Sequence, residues 1–206
     1  LWRIVGEVSA SPRLRDLVEV RVAGLDDDEV AALELVAFGE PLDLAAVDRL
    51  GVTGAVERLE RKSIIAINED GPEVEVRLAH PLHGEVLRAS TPLLQRRAIL
   101  ATLARDLQAT GARRRSDIVK LARLAVDGGV DVSVDLLVRA ASLVYHNGDP
   151  VLCERIGRKA FEASNRFDAG WELANCLYQA GDLRAFREHV PAWRASATND
   201  AQQLAV

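Results

Sequence analysis

Residues 74–89, VEVRLAHPLHGEVLRA, change their hydrophobic period part of the way along. Up to Leu78 apolar residues alternate with charged or small ones, which is the period of two of a half-buried strand. From Leu82 the apolar residues recur at helical spacing, and Pro81 suits a first helical position because its φ is fixed and it has no N–H. The stretch therefore predicts a strand that leads directly into a helix, with His80 at the junction.

Three helices are predicted before this stretch, within residues 23–62. Asp26 and Glu29 have the spacing of a reciprocal helix cap. Asp43 and Thr53 are candidate N-caps for two further helices, each followed by apolar residues at helical spacing.

A β-hairpin is predicted between the third helix and the helix that starts at Pro81. Its strands are residues 64–67 and 73–79, and its turn is Asn68-Glu69-Asp70-Gly71-Pro72. Three helices followed by a hairpin predict a winged-helix domain over residues 23–90.

The charge of this region argues against DNA binding. Residues 1–90 contain 10 basic and 18 acidic side chains, whereas phosphate contacts need cations. Residues 91–123 contain 8 basic and 2 acidic side chains. This basic block could meet nucleic acid or the acidic first part of the chain. It has no aromatic residue on which a base could stack, so we favour the second interpretation.

The chain after Thr91 predicts helix upon helix. One helix runs from a Thr91-Pro92 start to Gly111, and Ser116 is a candidate cap for the next, which should end at Gly128-Gly129. Four residues then recur 33 positions later: Ala141, Tyr145, Gly148 and Asp149 as Ala174, Tyr178, Gly181 and Asp182. This period is within one residue of the tetratricopeptide (TPR) unit, so residues 91–206 predict TPR-like repeats.

Cys153 and Cys176 fall in apolar helical patterns of this region. They could form a disulfide or act catalytically, but two small buried hydrophobic side chains are the favoured interpretation. A reducing cytoplasm is consistent with it.

Several classes of site have no motif here. The 14 glycines include no G-x-x-x-x-G-K-[ST] phosphate loop, and neither H-E-x-x-H nor G-x-S-x-G occurs. His80 and His83 are three residues apart, but no third metal ligand is evident, so no metal is predicted. No apolar run approaches the roughly 20 residues that span a bilayer. The chain starts at Leu1 and contains no Met, which predicts a piece of a longer protein.

Two functional classes remain: a regulatory module, and a TPR-like scaffold that binds partner proteins and whose winged helix is structural. An enzyme acting on its own is the weakest interpretation, because no nucleophile–base pair or metal cluster is evident.

The order of segments resembles a known family. LWR-x-x-G and SPRLRDLVE are followed by a winged helix ending in VRLAHPLHGEVLR, then by QRRAILATLARDL and TPR-like helices. This order is similar to that of the large ATP-binding LuxR-type (MalT-like) transcriptional regulators, which belong to the STAND class of signalling ATPases. The resemblance spans essentially the whole chain, and HPLHGEVLR is its most specific part.

The resemblance implies a division of labour. Residues 1–22 would be the C-terminal end of the nucleotide-binding or lid region, 23–90 the winged helix, and 91–206 a repeat domain that senses an inducer or a partner protein. ATP or ADP would be bound mainly by an upstream ATPase domain, and DNA only by a downstream domain. The protein would be cytoplasmic, the longer protein would be a slow signalling ATPase, and no membrane partner is implied.

His80 is the residue that matches the family's phosphate sensor. In many STAND proteins a His in a Met-His-Asp motif at the end of the winged helix contacts the β-phosphate of ADP and holds the resting state. In this chain Ala79 and Pro81 stand where the motif has Met and Asp. The alternative is that His80 caps the hairpin by bonding a backbone carbonyl.

Overall fold

Helices make up most of the computed structural model, which describes residues 20–69 and 74–206. A small three-stranded antiparallel sheet accompanies them. The mainly helical fold with a little β-structure is therefore confirmed. The described chain divides into two units, and the boundary along the chain falls between Ile99 and Leu100. Most of the segment 1–22, including LWR-x-x-G and SPRLRDLVE, lies outside the described residues, as does most of the predicted hairpin turn.

The first unit follows the predicted order of helices and hairpin. Its elements are α1 (Asp27–Gly39), β1 (Leu42–Asp43), α2 (Leu44–Arg49), α3 (Thr53–Arg61), β2 (Ile65–Asn68), β3 (Glu75–Leu78) and α4 (Pro81–Ser90). The antiparallel pair β2–β3 is the predicted hairpin, with Ile65 opposite Leu78. The strand β1 was not predicted, because two residues are too few to show an alternating pattern. It pairs with β3 through Leu42 opposite Val76, so the sheet order is β1-β3-β2.

Two of the three predicted helix caps in this unit are confirmed. The Glu29 N–H donates to Asp26 at 2.8 Å and the Asp26 N–H donates to Glu29 at 3.0 Å, which forms the reciprocal cap of α1. Asp43 accepts from the Ala46 N–H at the start of α2. The predicted Thr53 cap is wrong: Thr53 is the first helical residue of α3, and Val52 precedes it without a side-chain cap.

The core of the first unit is aliphatic and centred on α1. Ala32, Leu33 and Val36 are fully buried against α3, α4 and β3. Removing a Leu side chain of this kind from water contributes about 2 kcal/mol. The helix that follows His80 is thereby anchored on an interior layer.

Gly84 allows α4 to lie close to β3. A Cβ at this position would come within 2.8 Å of both the Leu78 side chain and the Arg88 guanidinium. Arg88 in turn donates to the Ala37 carbonyl at the end of α1 and contacts Glu40 at 3.3 Å. Gly84 thus lets the first half of α4 pack on β3, and Arg88 ties its last turn to the end of α1.

The second unit is built of helices. The elements from residue 93 onward are α5 (Leu93–Ala109), α6 (Arg115–Gly128), α7 (Val134–Asn147), α8 (Pro150–Ser164), α9 (Phe167–Ala180), α10 (Leu183–Ala195) and α11 (Asp200–Leu204), and the division between the units falls within α5. The predicted end of α6 at Gly128-Gly129 is confirmed, with Gly129 left-handed at φ 70°. The predicted Ser116 cap is wrong, because α6 begins at Arg115.

The predicted repeat has the same local structure in both copies. Gly148 ends α7 and Gly181 ends α9, both in the left-handed conformation that glycine adopts without steric cost (φ 74° and 73°). Asp149 then accepts from the Leu152 N–H, and Asp182 accepts from the Ala185 N–H. The Gly-Asp dipeptide therefore ends one helix and caps the next in each copy.

The favoured interpretation of the two cysteines is wrong. Both are completely buried, as expected, but they form a disulfide between α8 and α9. The two helices lie side by side, and a Cβ on Gly157 of α8 would come within 3.1 Å of Leu173 on α9. The sequence separation of 23 residues contains no information on this helix pairing, so the cross-link could not be inferred from it.

Candidate functional site

His80 lies where the sheet ends and α4 begins. Its backbone is extended (φ −139°, ψ 127°), and Pro81 is the first residue of the helix, as predicted. The Ala79 N–H still donates to the Ile64 carbonyl at 3.0 Å, so the strand pairing continues to the residue before His80. Both neighbours of His80 along the chain are therefore held by backbone structure, while the His80 side chain is exposed.

The imidazole of His80 caps α4. The Leu82 N–H donates to Nδ1 at 3.2 Å. This differs from the predicted structural alternative, because the bond is made to an N–H of the helix and not to a carbonyl of the hairpin. It also determines the tautomer: a neutral imidazole whose Nδ1 accepts has its proton on Nε2.

The consequence is a hydrogen-bond donor that faces solvent. Within the described ranges no residue bonds Nε2 of His80, and an Nε2–H in this position can donate to a phosphate or carboxylate oxygen. His80 therefore combines a structural role at Nδ1 with an available donor at Nε2.

His83 lies one helical turn beyond His80 and differs from it in environment. The two ring centroids are 5.8 Å apart and the rings are tilted by 48°. Burial lowers the pKa of His83, and the positive charges of Arg21 and His80 lower it further. Nδ1 of His83 is buried without a hydrogen-bond partner among the described residues. His83 is thus neutral near pH 7 and points into the unit, whereas His80 points out.

The cavity beside His83 is too small for a ligand. Its volume is about 10 Å³, and its lining includes Arg21, Leu33 and Ile64 as well as His83. This is about the space of one water molecule. This cavity therefore offers no room for a ligand beside His83, whereas the His80 side chain is exposed.

Two cations near the end of α3, Arg58 and Lys62, are engaged within the first unit. Lys62 Nζ lies 2.6 and 2.7 Å from the two carboxylate oxygens of Glu29, which is buried. Arg58 contacts Glu29 and Asp26, each at 3.4 Å. The bond from Lys62, the cap from Asp26 and the charge of Lys62 lower the pKa of Glu29 and outweigh its desolvation. Two of the cations that a DNA-binding helix here would offer to phosphates are thus paired with α1. These pairs could not be predicted from the sequence, because their members are far apart along the chain.

The other two histidines, His146 and His189, lie in helices of the second unit. His189 is buried in α10, with Nε2 3.0 Å from the Gly170 carbonyl. His146 is exposed on α7, with Nδ1 2.7 Å from the Ser142 carbonyl. Together with Arg115 and Arg139, His146 lines a groove between α6 and α7 that sequence reasoning missed. The available signal was the polar face of α7, on which 139, 142 and 146 recur at helical spacing.

Among residues 20–69 and 74–206, no group of three or more His, Cys, Asp or Glu side chains is arranged to hold a metal ion. In the same part of the chain, no helix is both long and apolar enough to cross a bilayer. No family model, curated protein or solved structure matches this chain.

Proposed function

We propose that this chain is a regulatory part of an ATP-dependent transcriptional regulator of the LuxR-type STAND class. In this proposal the first unit is a winged-helix domain that holds an ADP-bound resting state, and the second unit is a set of TPR-like repeats that bind an inducer or a partner protein. The observation that supports it most directly is the exposed Nε2–H of His80, whose tautomer is set by the cap on α4.

The chemistry of this donor fits a phosphate of ADP. A phosphate oxygen is an acceptor only, and its negative charge strengthens a hydrogen bond from the Nε2–H of a neutral imidazole. His80 would donate to the β-phosphate while an upstream ATPase domain binds the rest of the nucleotide. The switch requires that ADP bind the resting arrangement better than ATP does.

The partners of the proposal follow from the same division of labour. The first unit would contact the upstream ATPase domain, and DNA would be read by a downstream domain, because Arg58 and Lys62 are engaged by α1. No metal and no catalytic residue is assigned to this chain.

A comparison of two variants in the full-length protein tests the role of His80. His80→Ala removes both the cap and the donor, whereas His80→Ser keeps a capping oxygen but is too short to reach a phosphate. A charge-assisted hydrogen bond contributes roughly 1.5–3 kcal/mol, so both variants should weaken ADP binding by about tenfold to a hundredfold relative to ATP. The measurement is the ratio of ADP to ATP affinity for each variant.

The serine variant separates sensing from stability. His80→Ser should melt close to the unchanged protein and still lose its preference for ADP, while His80→Ala should lose both. An unchanged ADP-to-ATP ratio in the serine variant would show that His80 is only a helix cap.

The scaffold alternative has one observation in its favour. Trp171 and Tyr178 lie seven residues apart on α9 and are 44% and 67% exposed. Large exposed apolar side chains on one helix face often bind partners. Under this alternative, His80→Ser leaves nucleotide affinity unchanged, and Trp171→Ala and Tyr178→Ala remove partner binding.

We place the protein in the cytoplasm, where its nucleotide and its DNA would be. Disulfides seldom persist there, so the Cys153–Cys176 cross-link counts against this placement and provides a test of it. Rapid alkylation of the denatured protein after cell lysis measures the state of the two cysteines. A fully oxidised pair in cells would contradict the cytoplasmic assignment.

A further inference from the structure

A concave groove lies between α6 and α7 in the second unit. Its volume is about 720 Å³, and it is open on one side. Its polar lining consists of Arg115 and Ser116 of α6 and of Arg139, Ser142, His146 and Asn147 of α7. We propose that this groove binds a small organic anion whose carboxylate or phosphate group lies between Arg115 and Arg139.

The two arginines are available to a ligand. Both are exposed, and neither forms an ion pair with a described residue. Other cations of the same unit do have carboxylate partners: Arg155 with Asp127, Lys159 with Asp131, Arg158 with Glu154, Arg166 with Asp135 and Asp168, and Arg184 with Glu188. A guanidinium offers two parallel N–H donors, which match the two oxygens of a carboxylate or phosphate.

The start of α6 adds to the positive potential of the groove. Arg115 and Ser116 are its first two helical residues, so the positive end of the helix dipole lies at this edge. The Asp117 carboxylate partly offsets it by accepting from the Arg114 N–H at 3.2 Å and from the Ser116 hydroxyl at 3.3 Å. Asp117 is not among the residues that line the groove, whereas both arginines are.

Glu172 of α9 is a further acidic group near the groove, outside its lining. It interacts with Ser142 and His146, and burial raises its pKa. The His146 ring donates from Nδ1 to the Ser142 carbonyl, so the neutral ring has a lone pair on Nε2 and can accept a hydrogen bond from a hydroxyl group of the ligand. The anionic group of the ligand is therefore assigned to the two arginines.

The size and floor of the groove favour an organic anion over an inorganic ion. Its volume lies within the roughly 300–1,000 Å³ of small-molecule sites. Val119 and Leu143 add apolar surface to the polar rim. An inorganic phosphate would leave this surface uncovered, whereas a sugar phosphate or a polycarboxylate would cover it. That such a ligand acts as the inducer rests on the proposed function; that the groove binds it does not.

Calorimetric titration of the 206-residue chain tests the proposal with three probes at low ionic strength. Glucose 6-phosphate represents the phosphate class, citrate represents the carboxylate class, and glucose is the neutral control. We expect at least one of the two anions to bind with a millimolar or lower Kd and glucose not to bind. The anion that binds more tightly identifies the class.

Charge-matched variants localise the binding. Arg139→Gln should lower the affinity for the anion that binds by about tenfold or more, which is the loss expected for a charge-assisted hydrogen bond. Arg187 is an exposed arginine of α10 without an ion pair among the described residues. Arg187→Gln changes the net charge by the same amount and should leave the affinity unchanged. Arg115→Gln repeats the test should Arg139→Gln not fold.

Two results would overturn the proposal: absence of binding by both anions, or equal losses in the Arg139 and Arg187 variants. The readout is independent of nucleotide. If His80→Ser leaves the ratio of ADP to ATP affinity unchanged, the sensor role is disproved but the anion-binding proposal for the groove is not affected. If neither anion binds, the groove proposal is disproved but the sensor role is not affected.

Discussion

The two units hold their elements together by different means. In the first unit, charged side chains reach from one element to the next. Lys62 of α3 bonds the buried Glu29 of α1, and Arg88 of α4 bonds the Ala37 carbonyl at the end of α1. Glu40 accepts from the Leu78 N–H of β3 and contacts Arg88 as well.

In the second unit, a covalent cross-link and aromatic packing join the last helices. Cys153 and Cys176 tie α8 to α9. Trp193 of α10 lies with its ring centroid 5.5 Å from those of Phe167 and Trp171, and its Nε1–H donates to the Phe167 carbonyl. The ion pairs of this unit lie mostly on the surface, where they contribute about 0–1 kcal/mol each.

This difference has a consequence for how each unit responds to charge. Polar links between elements weaken when a charged ligand or partner competes for them, whereas a disulfide and a packed indole do not respond to charge. We therefore expect the first unit to be the more adaptable of the two. Four substitutions or treatments test this contrast.

The largest effect should come from the aromatic packing. Trp193→Ala should lower the free energy of unfolding of the second unit by about 3–5 kcal/mol, because the indole is 4% exposed and its removal leaves a cavity. A Cβ on Gly170 would lie 2.5 Å from the Trp193 ring, which shows how closely α9 approaches it. Hydrogen exchange resolved by peptide measures the loss in each unit separately.

Trp171→Ala is the matched control, since that indole is 44% exposed. Trp171→Ala should lower the free energy of unfolding much less than Trp193→Ala does. Equal losses, or a loss of protection in the first unit, would contradict a core confined to the second unit.

Reduction of the disulfide should give the next largest effect. A cross-link that closes a loop of this size stabilises by about 3 kcal/mol, chiefly by restricting the unfolded chain. Reductant should therefore lower the unfolding free energy of the second unit and leave the first unchanged. The double variant Cys153→Ala/Cys176→Ala should be insensitive to reductant, and sensitivity in that variant would refute the assignment.

Local chemistry in the sequence predicted much of the fold. The Asp26–Glu29 cap, the Pro81 helix start and the two Gly-Asp turns depend on residues within a few positions of one another, and all are present. The errors at Thr53 and Ser116 concern only which residue of the first turn is the cap.

Contacts between distant residues could not be predicted. Lys62 and Glu29 are 33 positions apart, and Arg88 and Ala37 are 51 apart, so no periodicity relates them. The same holds for the two-residue strand β1 and for the groove at Arg115 and Arg139. At the candidate site the sequence indicated His80. Which of its ring nitrogens caps the helix, and hence which tautomer it adopts, could be read only from the structure.

Arg88 tests the polar links of the first unit. Arg88→Ala removes the bonds to the Ala37 carbonyl and to Glu40, and should cost about 1–2 kcal/mol, since the side chain is partly exposed. Arg61→Ala on α3 is the control: that side chain is exposed and has no described partner. Urea denaturation at low and at high salt should show a smaller Arg88 effect at high salt. A salt-independent loss would indicate that the stem of Arg88, and not its charge, stabilises α4.

The smallest effect concerns the pH response of the second unit. Burial lowers the pKa of His189 from its ordinary value of 6.5, the nearby charge of Arg158 lowers it further, and the bond to the Gly170 carbonyl opposes both. The unfolded chain therefore binds a proton near pH 6.5 that the folded chain does not, so this histidine destabilises the fold as pH decreases through 6.5.

His189→Gln keeps a donor for Gly170 but does not titrate. The difference in unfolding free energy between the unchanged protein and the variant should thus shift against the unchanged protein between pH 7.5 and 5.5. Glu172 and His83 are present in both proteins, so their own titrations cancel in this difference. A difference that stays constant with pH would mean that the ring of His189 takes up its proton as readily in the folded as in the unfolded chain.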